Sequence, residues 1–187
     1  MAMPAVAKFW SQEEVREMQG SRAWPRYELI DGELLVTSSP SVPHQRFIVE
    51  LLVLIRAYVI AHDVGEVLTS PADIELDQGS VLQPDIFVIP PGLVVRTWPD
   101  VTALLLAIEV LSPSTARHDR VTKRIFFQKH RVPEYWIVDL EARLVERWRP
   151  DDVRPEILPD RLIWQPYAGV EPLTIDLTAL FVNANRA

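Results

Sequence analysis

Residues 104–111, LLLAIEVL, place one carboxylate, Glu109, inside an otherwise apolar run. An uninterrupted run of this kind reads as a strand buried on both faces. An ionised carboxylate is costly there unless a metal ion, a cation or a raised pKa compensates it. A second acid, Asp85, follows Pro84 within another apolar stretch, residues 81–89, and lies 24 residues before Glu109. Were the two strands neighbours, both acids would stand on one side of one sheet and share a metal. Carboxylate oxygens suit a hard cation, Mg²⁺ or Mn²⁺. The chain has no cysteine, and its four histidines, His44, His62, His118 and His130, lack zinc-type spacing.

The flanking segments fill in an α/β pattern. Residues 9–20 read as a short helix, with Ser11 as N-cap, Glu14 three residues on and Gly20 as the stop. Residues 27–36 read as a hairpin turning at Asp31-Gly32. From 44 to 62, Ile48, Leu51, Leu52, Ile55 and Val59 recur at helical spacing and predict the main core helix. Strand-like stretches follow at 66–76 and 81–89, then the 104–111 run. Ser112-Pro113-Ser114-Thr115 leads into a helix over 117–130, followed by strands at 135–140 and 144–149. The segments 162–167 and 173–180 complete the chain. The order predicts an α/β domain with a mixed sheet and helices against its faces.

Hydrolysis of a phosphodiester needs a metal to polarise the phosphoryl oxygen, an activated water, and a cation that orients the water or neutralises developing charge. Lys123 is the candidate cation, because the strand-loop-helix connection after Glu109 can carry it back over the strand end.

These residues also carry a family resemblance. PDIFVIP at 84–90, AIEVLSPST at 107–115, Asp119, Lys123 and VPEYWIVD at 132–139 follow one another in order, preceded by YELIDGEL at 27–34 and Pro43-His44. Together they resemble the Uma-two family of endonucleases, a branch of the PD-(D/E)XK nuclease superfamily. The resemblance covers about residues 24–150 and implies a restriction-endonuclease-like fold, a mixed central sheet flanked by helices, with a Mg²⁺-dependent (or Mn²⁺-dependent) nuclease site. It implies Asp85 and Glu109 as metal ligands, with the Val110 carbonyl as a third. Glu28 and His44 match further positions that recur in the family. Glu50, on the first core helix, competes with Glu28 for the role of supporting acid. The superfamily's usual lysine, two residues after the second acid, is replaced here by Leu111, and Lys123 matches the helix position to which this branch moves it. Phe127 stands where the family carries a tyrosine, so no hydroxyl is available there.

Simpler roles compete with these. Asp85 after a proline can terminate a turn. Glu109 can pair with an arginine. Asp119 and Lys123, at i and i+4 with the acid first, form an ordinary surface pair, the reading favoured for Asp119. His44 can be a first-turn residue facing a loop, and Glu28 a hairpin residue paired across the sheet. Tyr135 and Trp136 read as core. Between 117 and 131, Arg117, Arg120, Lys123, Arg124, Lys129 and Arg131 face only Asp119, giving either a solvated helix face or a phosphate-facing edge.

Composition sets the outer bounds. The 187 residues, 48% hydrophobic and 24% charged, are read as one domain spanning 1–187. The N-terminus MAMPAVAKFW lacks the basic and apolar regions of a signal peptide. The stretch 47–61 is interrupted by Glu50 and Arg56 and is too short for a membrane span. With no cysteine, a cytoplasmic protein is expected. Three lysines against sixteen arginines, sixteen prolines and two asparagines are compatible with a heat-adapted source. A net charge of −7 argues against a protein that coats nucleic acid, but not against an enzyme with one local basic surface. The expected function is therefore a metal-dependent endonuclease acting on DNA, as a homodimer that cuts both strands by symmetry. The alternatives are a non-catalytic nucleic-acid or protein-binding module on the same fold, and a metal-dependent hydrolase of another phosphate ester.

Overall fold

The computed structural model describes residues 8–21 and 24–184. Residues 1–7, on which most of the leader reading rests, lie outside it. Helix α1 (Gln12–Gln19) begins at the expected capping box, in which Ser11 and Glu14 bond each other's backbone N–H, and ends at Gly20. Strands β1 (Arg26–Ile30) and β2 (Glu33–Thr37) form the expected antiparallel hairpin around Asp31-Gly32. Helix α2 (Val42–His62) follows, capped by Ser41.

The remaining chain builds a six-stranded mixed sheet from β3 (Glu66–Thr69), β4 (Ile86–Ile89), β5 (Leu106–Val110), β6 (Glu134–Asp139), β7 (Leu144–Trp148) and β8 (Glu156–Leu158), ordered as numbered. Only β5 and β6 are parallel; the other neighbours are antiparallel. The β5–β6 crossover runs through α3 (Ala116–His118), a π-helical turn (Asp119–Lys123) and α4 (Arg124–Lys129). The turn at Gly65 brings the chain so close to β4 that a Cβ there would overlap the Ile89 carbonyl oxygen. The predicted strand over 66–76 is shortened to 66–69, and the run from 104 contributes a strand only from Leu106. At the chain's far end, β9 (Arg161–Trp164) and β10 (Leu173–Asp176) make a separate two-stranded ribbon that leads into α5 (Leu177–Ala184). Among the described residues no helix is long and apolar enough to cross a membrane.

Alternation along the central strands separates two cores. Ile86, Val88, Leu106, Ile108, Val110, Trp136 and Val138 pack with Phe47, Leu51, Ile55 and Phe181 of α2 and α5. Phe87, Ile89, Ala107, Tyr135 and Ile137 pack on the other face with Phe126, Phe127 of α4 and Ile30, Leu35 of the hairpin. Phe127 is therefore a core residue, its ring 4.8 Å from that of Tyr135. By the same alternation Glu109 emerges on the face covered by α4 and the hairpin.

Candidate active site

Two elements that cover Glu109's face deliver its partners. Lys123, at the end of the π-helical turn, places Nζ 2.8 Å from Glu109 Oε1 and 2.9 Å from Glu28 Oε2 of β1. Asp119, one turn earlier, stands 3.5 Å from the same ammonium. All four are almost fully buried, with relative exposures of 3% for Lys123, 3% for Glu28, 5% for Glu109 and 1% for Asp119. Asp119 is thus no surface residue: the π-helical turn carries an extra residue per turn and lies inward, as such turns often do at functional sites. The Tyr135 hydroxyl, donating to the Asp119 carbonyl at 3.1 Å, ties that turn to β6.

Asp85 immediately precedes β4. The β4–β5 register pairs Ile86 with Ile108, so one further step sets Asp85 opposite Glu109. The Val110 N–H donates to Asp85 Oδ2 at 2.8 Å. His44 Nε2 lies 3.2 Å from the same oxygen, so the first turn of α2 faces the acid and not only a loop. Asp85, Glu109, Glu28, His44, Lys123 and the Val110 backbone therefore line one cavity of about 40 Å³. Glu50 is exposed on α2 and lies outside that cavity, so Glu28 is the acid that the fold brings to the site.

Lys123 faces three carboxyl groups, and burial set against its charge governs the protonation of Glu109 and Asp119. Burial pushes the Glu109 carboxyl well above its ordinary range; Lys123 pulls it back, and the neighbouring acids push it further up. Burial likewise raises Asp119 against Lys123 and a hydrogen bond from Thr115. Burial favours the neutral lysine, but Glu109, Glu28 and Asp119 outweigh it and hold the Lys123 ammonium well above its usual value.

A carboxyl raised on folding binds its proton more tightly in the folded state. Between its unfolded value, about 4, and the raised one, the folded chain holds a proton that the unfolded chain has lost. Stability contributed by that proton falls as pH rises through this window. Glu109→Gln removes the effect at its main source. Its Tm relative to the parent protein, without divalent cations, is expected to climb as pH rises from about 4 towards neutrality. A constant difference would show that Glu109 titrates as an ordinary carboxylate.

The donor set fits a hard divalent cation on chemical grounds. Asp85 and Glu109 offer only oxygen, and their described contacts engage Oδ2 of the first and Oε1 of the second. In an extended strand the carbonyl of a residue faces the same edge as its N–H, which puts the Val110 oxygen towards Asp85. Among the described residues no three His, Cys, Asp or Glu side chains form a ready metal cage. A cation that keeps several waters needs only one or two carboxylates. Buried atoms without a hydrogen-bond partner, His44 Nδ1, Gln83 Oε1 and Asp119 Oδ1, belong to the residues lining this cavity.

The family model for Uma2, described as "Putative restriction endonuclease", matches residues 12–178. The chain belongs to the Uma2 family. A solved structure with the same fold is a putative nuclease belonging to DUF820 from Anabaena variabilis ATCC 29413. It is 20% identical, with a TM-score of 0.75, and the match covers 94% of this chain and 99% of that one. No curated protein matches the chain. The fold of this Uma2 member is therefore the restriction-endonuclease-like mixed sheet flanked by helices.

Around the acids the structure adds residues that the sequence did not single out. Gln83 donates its N–H to Glu28 Oε1 at 2.7 Å, and its side-chain amide to Asp73 Oδ1 at 2.7 Å. Arg26 lines the cavity mouth with its guanidinium 4.2 Å above the Trp24 ring. The basic segment is largely neutralised locally. Arg120 bridges Asp139 and Glu146, Lys129 meets Asp31, Arg131 meets Asp151, and Lys123 is internal. A broad phosphate-facing edge there is not what the fold presents; Arg117 and Arg124 are the cations of the segment without an ion pair among the described residues.

Proposed function

We propose that this chain is an endonuclease that hydrolyses DNA phosphodiester bonds with Mg²⁺ or Mn²⁺, held by Asp85, Glu109 and the Val110 carbonyl. The observation that carries the reading is the convergence of Asp85 and Glu109, from neighbouring strands, with a fully buried lysine delivered by the following helix. A cation bound there would supply charge stabilisation at the phosphoryl oxygens and would lower the pKa of the attacking water.

The chain's own residues do the positioning. Lys123, fixed by Glu28 and Asp119, points its ammonium at Glu109 and supplies positive charge beside the acid pair. Glu28 is locked in turn by the Gln83 N–H, which fixes the carboxylate that anchors the lysine. His44 holds one oxygen of Asp85 and leaves the other side of the carboxylate turned from it. Burial excludes bulk water around Glu109 and Lys123, which strengthens every charge interaction between them.

Supercoiled plasmid is expected to be nicked or linearised with Mg²⁺ or Mn²⁺, and to stay intact with a chelator. Cleavage that persists with the chelator would overturn the metal-dependent reading. Turnover of small phosphoesters with no attack on DNA would favour a different ester substrate, and DNA binding without any hydrolysis a non-catalytic module. Two-fold pairing would place one site on each strand. It is tested by the elution volume at micromolar concentration, where a strict monomer would overturn it.

A further inference from the structure

A second cavity, of about 430 Å³, adjoins the acid site and shares Trp24, Arg26 and Gln83 with it. Its walls include two indoles, Trp24 and Trp98, with Asp73 on the same lining. Trp98 sits on a short 3₁₀ turn and is exposed to solvent, its ring edge-on to Phe87 of β4.

Two polar groups between the cavities lack partners. Gln83 is 6% exposed, and its Oε1 is buried without a hydrogen-bond partner. The amide orientation is set from the other end, because the NH₂ group donates to the Asp73 carboxylate and leaves Oε1 as an acceptor. Arg26 Nε is buried and equally unpartnered, and among the described residues Arg26 forms no ion pair, although Asp85, Glu28, Glu109 and Asp73 all act on its charge. A buried acceptor and a buried donor left open cost free energy unless a ligand meets them.

We propose that this cavity binds the base of the nucleotide next to the phosphate held at Asp85 and Glu109. The proposal rests on the nuclease reading above. The base lies against the indole wall, every base having a π-face that stacks on an aromatic ring. Gln83 Oε1 accepts from an N–H of the base edge, and Arg26 meets the adjoining phosphate with its planar fork. A base reaches such a cavity only when it is unpaired, so the preferred substrate is single-stranded or distorted DNA, not a regular duplex.

The test compares two fluorescent octamers with the same number of phosphates, one of thymidine nucleotides and one of abasic sugars, by anisotropy in a chelating buffer. The thymidine strand is expected to bind about ten- to a hundredfold more tightly. Trp98→Ala is expected to remove that preference, and Trp98→Phe to keep most of it, which separates lost stacking from a lost fold. Equal binding of both octamers overturns the base cavity, whatever the plasmid assay shows. A preference that survives Trp98→Ala overturns it as well. If the preference depends on Trp98 but no DNA is cleaved under any condition, the base cavity stands and the nuclease reading falls.

Discussion

Lys123→Met is expected to cost about 3–5 kcal/mol of stability, the usual loss when one partner of a buried ion pair is removed. Methionine fills much of the same volume, so the loss is electrostatic. Glu28, Glu109 and Asp119 would be left buried around an apolar side chain, each within reach of the others' charge. Protonation offers Glu109 and Asp119 an escape, so the loss is expected to shrink as pH falls towards their raised titration range. Urea unfolding at two pH values measures this. A loss below about 1 kcal/mol at neutral pH would show that the acids do not depend on the lysine. Cleavage by the variant is expected to vanish with the cation.

Asp85→Ala and Glu109→Gln are expected to reduce plasmid cleavage at least about a hundredfold, the scale on which a preorganised charge-stabilising group acts. Their stabilities should diverge. Asp85→Ala removes the acceptor that the Val110 N–H and His44 share, and is expected to destabilise by about 1–3 kcal/mol. Glu109→Gln removes an acid whose burial is unfavourable, and leaves Lys123 with Glu28 and Asp119. It is expected to be as stable as the parent or more so, the pattern of a group retained for chemistry at the expense of the fold. Undiminished cleavage by either variant would remove that residue from the reaction.

The sequence carried the local elements well because their signals are local. Ser11 with Glu14, Asp31-Gly32, and the spacing of Ile48, Leu51, Ile55 and Val59 each involve residues within a few positions, and the structure shows α1, the hairpin and α2 there. Glu109 was conspicuous because an acid inside an apolar run has no ordinary explanation. Asp119 was hidden by the reverse situation, since an acid four residues before a lysine is what exposed helices carry. Only the π-helical turn, which no residue type announces, turns that pair inward. The pairing of the basic segment was hidden for another reason. Asp31, Asp139, Glu146 and Asp151, which neutralise it, lie on other elements, and charge counted along a window cannot see them. Choosing between Glu28 and Glu50 likewise needed the tertiary fold, because α2 turns Glu50 to solvent while β1 lies over the face from which Glu109 emerges.

Delivery of the lysine by a helix, not by the acid-bearing strand, divides the site between two independently varying parts of the chain. Position 111 is released from any catalytic duty and is filled by Leu111, which packs against the core on the helix-covered face. The acids answer to the sheet register, the ammonium to how the crossover between β5 and β6 is wound. Because the π-helical turn holds one residue more than a regular turn would need, shortening it by one residue would rotate the lysine away by about a quarter turn of helix. The anchors beyond it, Phe126 and Phe127, would keep their places in the core. A lineage could thus silence such a site, or restore it, through insertion or deletion of a single codon, with the sheet and its acid pair untouched.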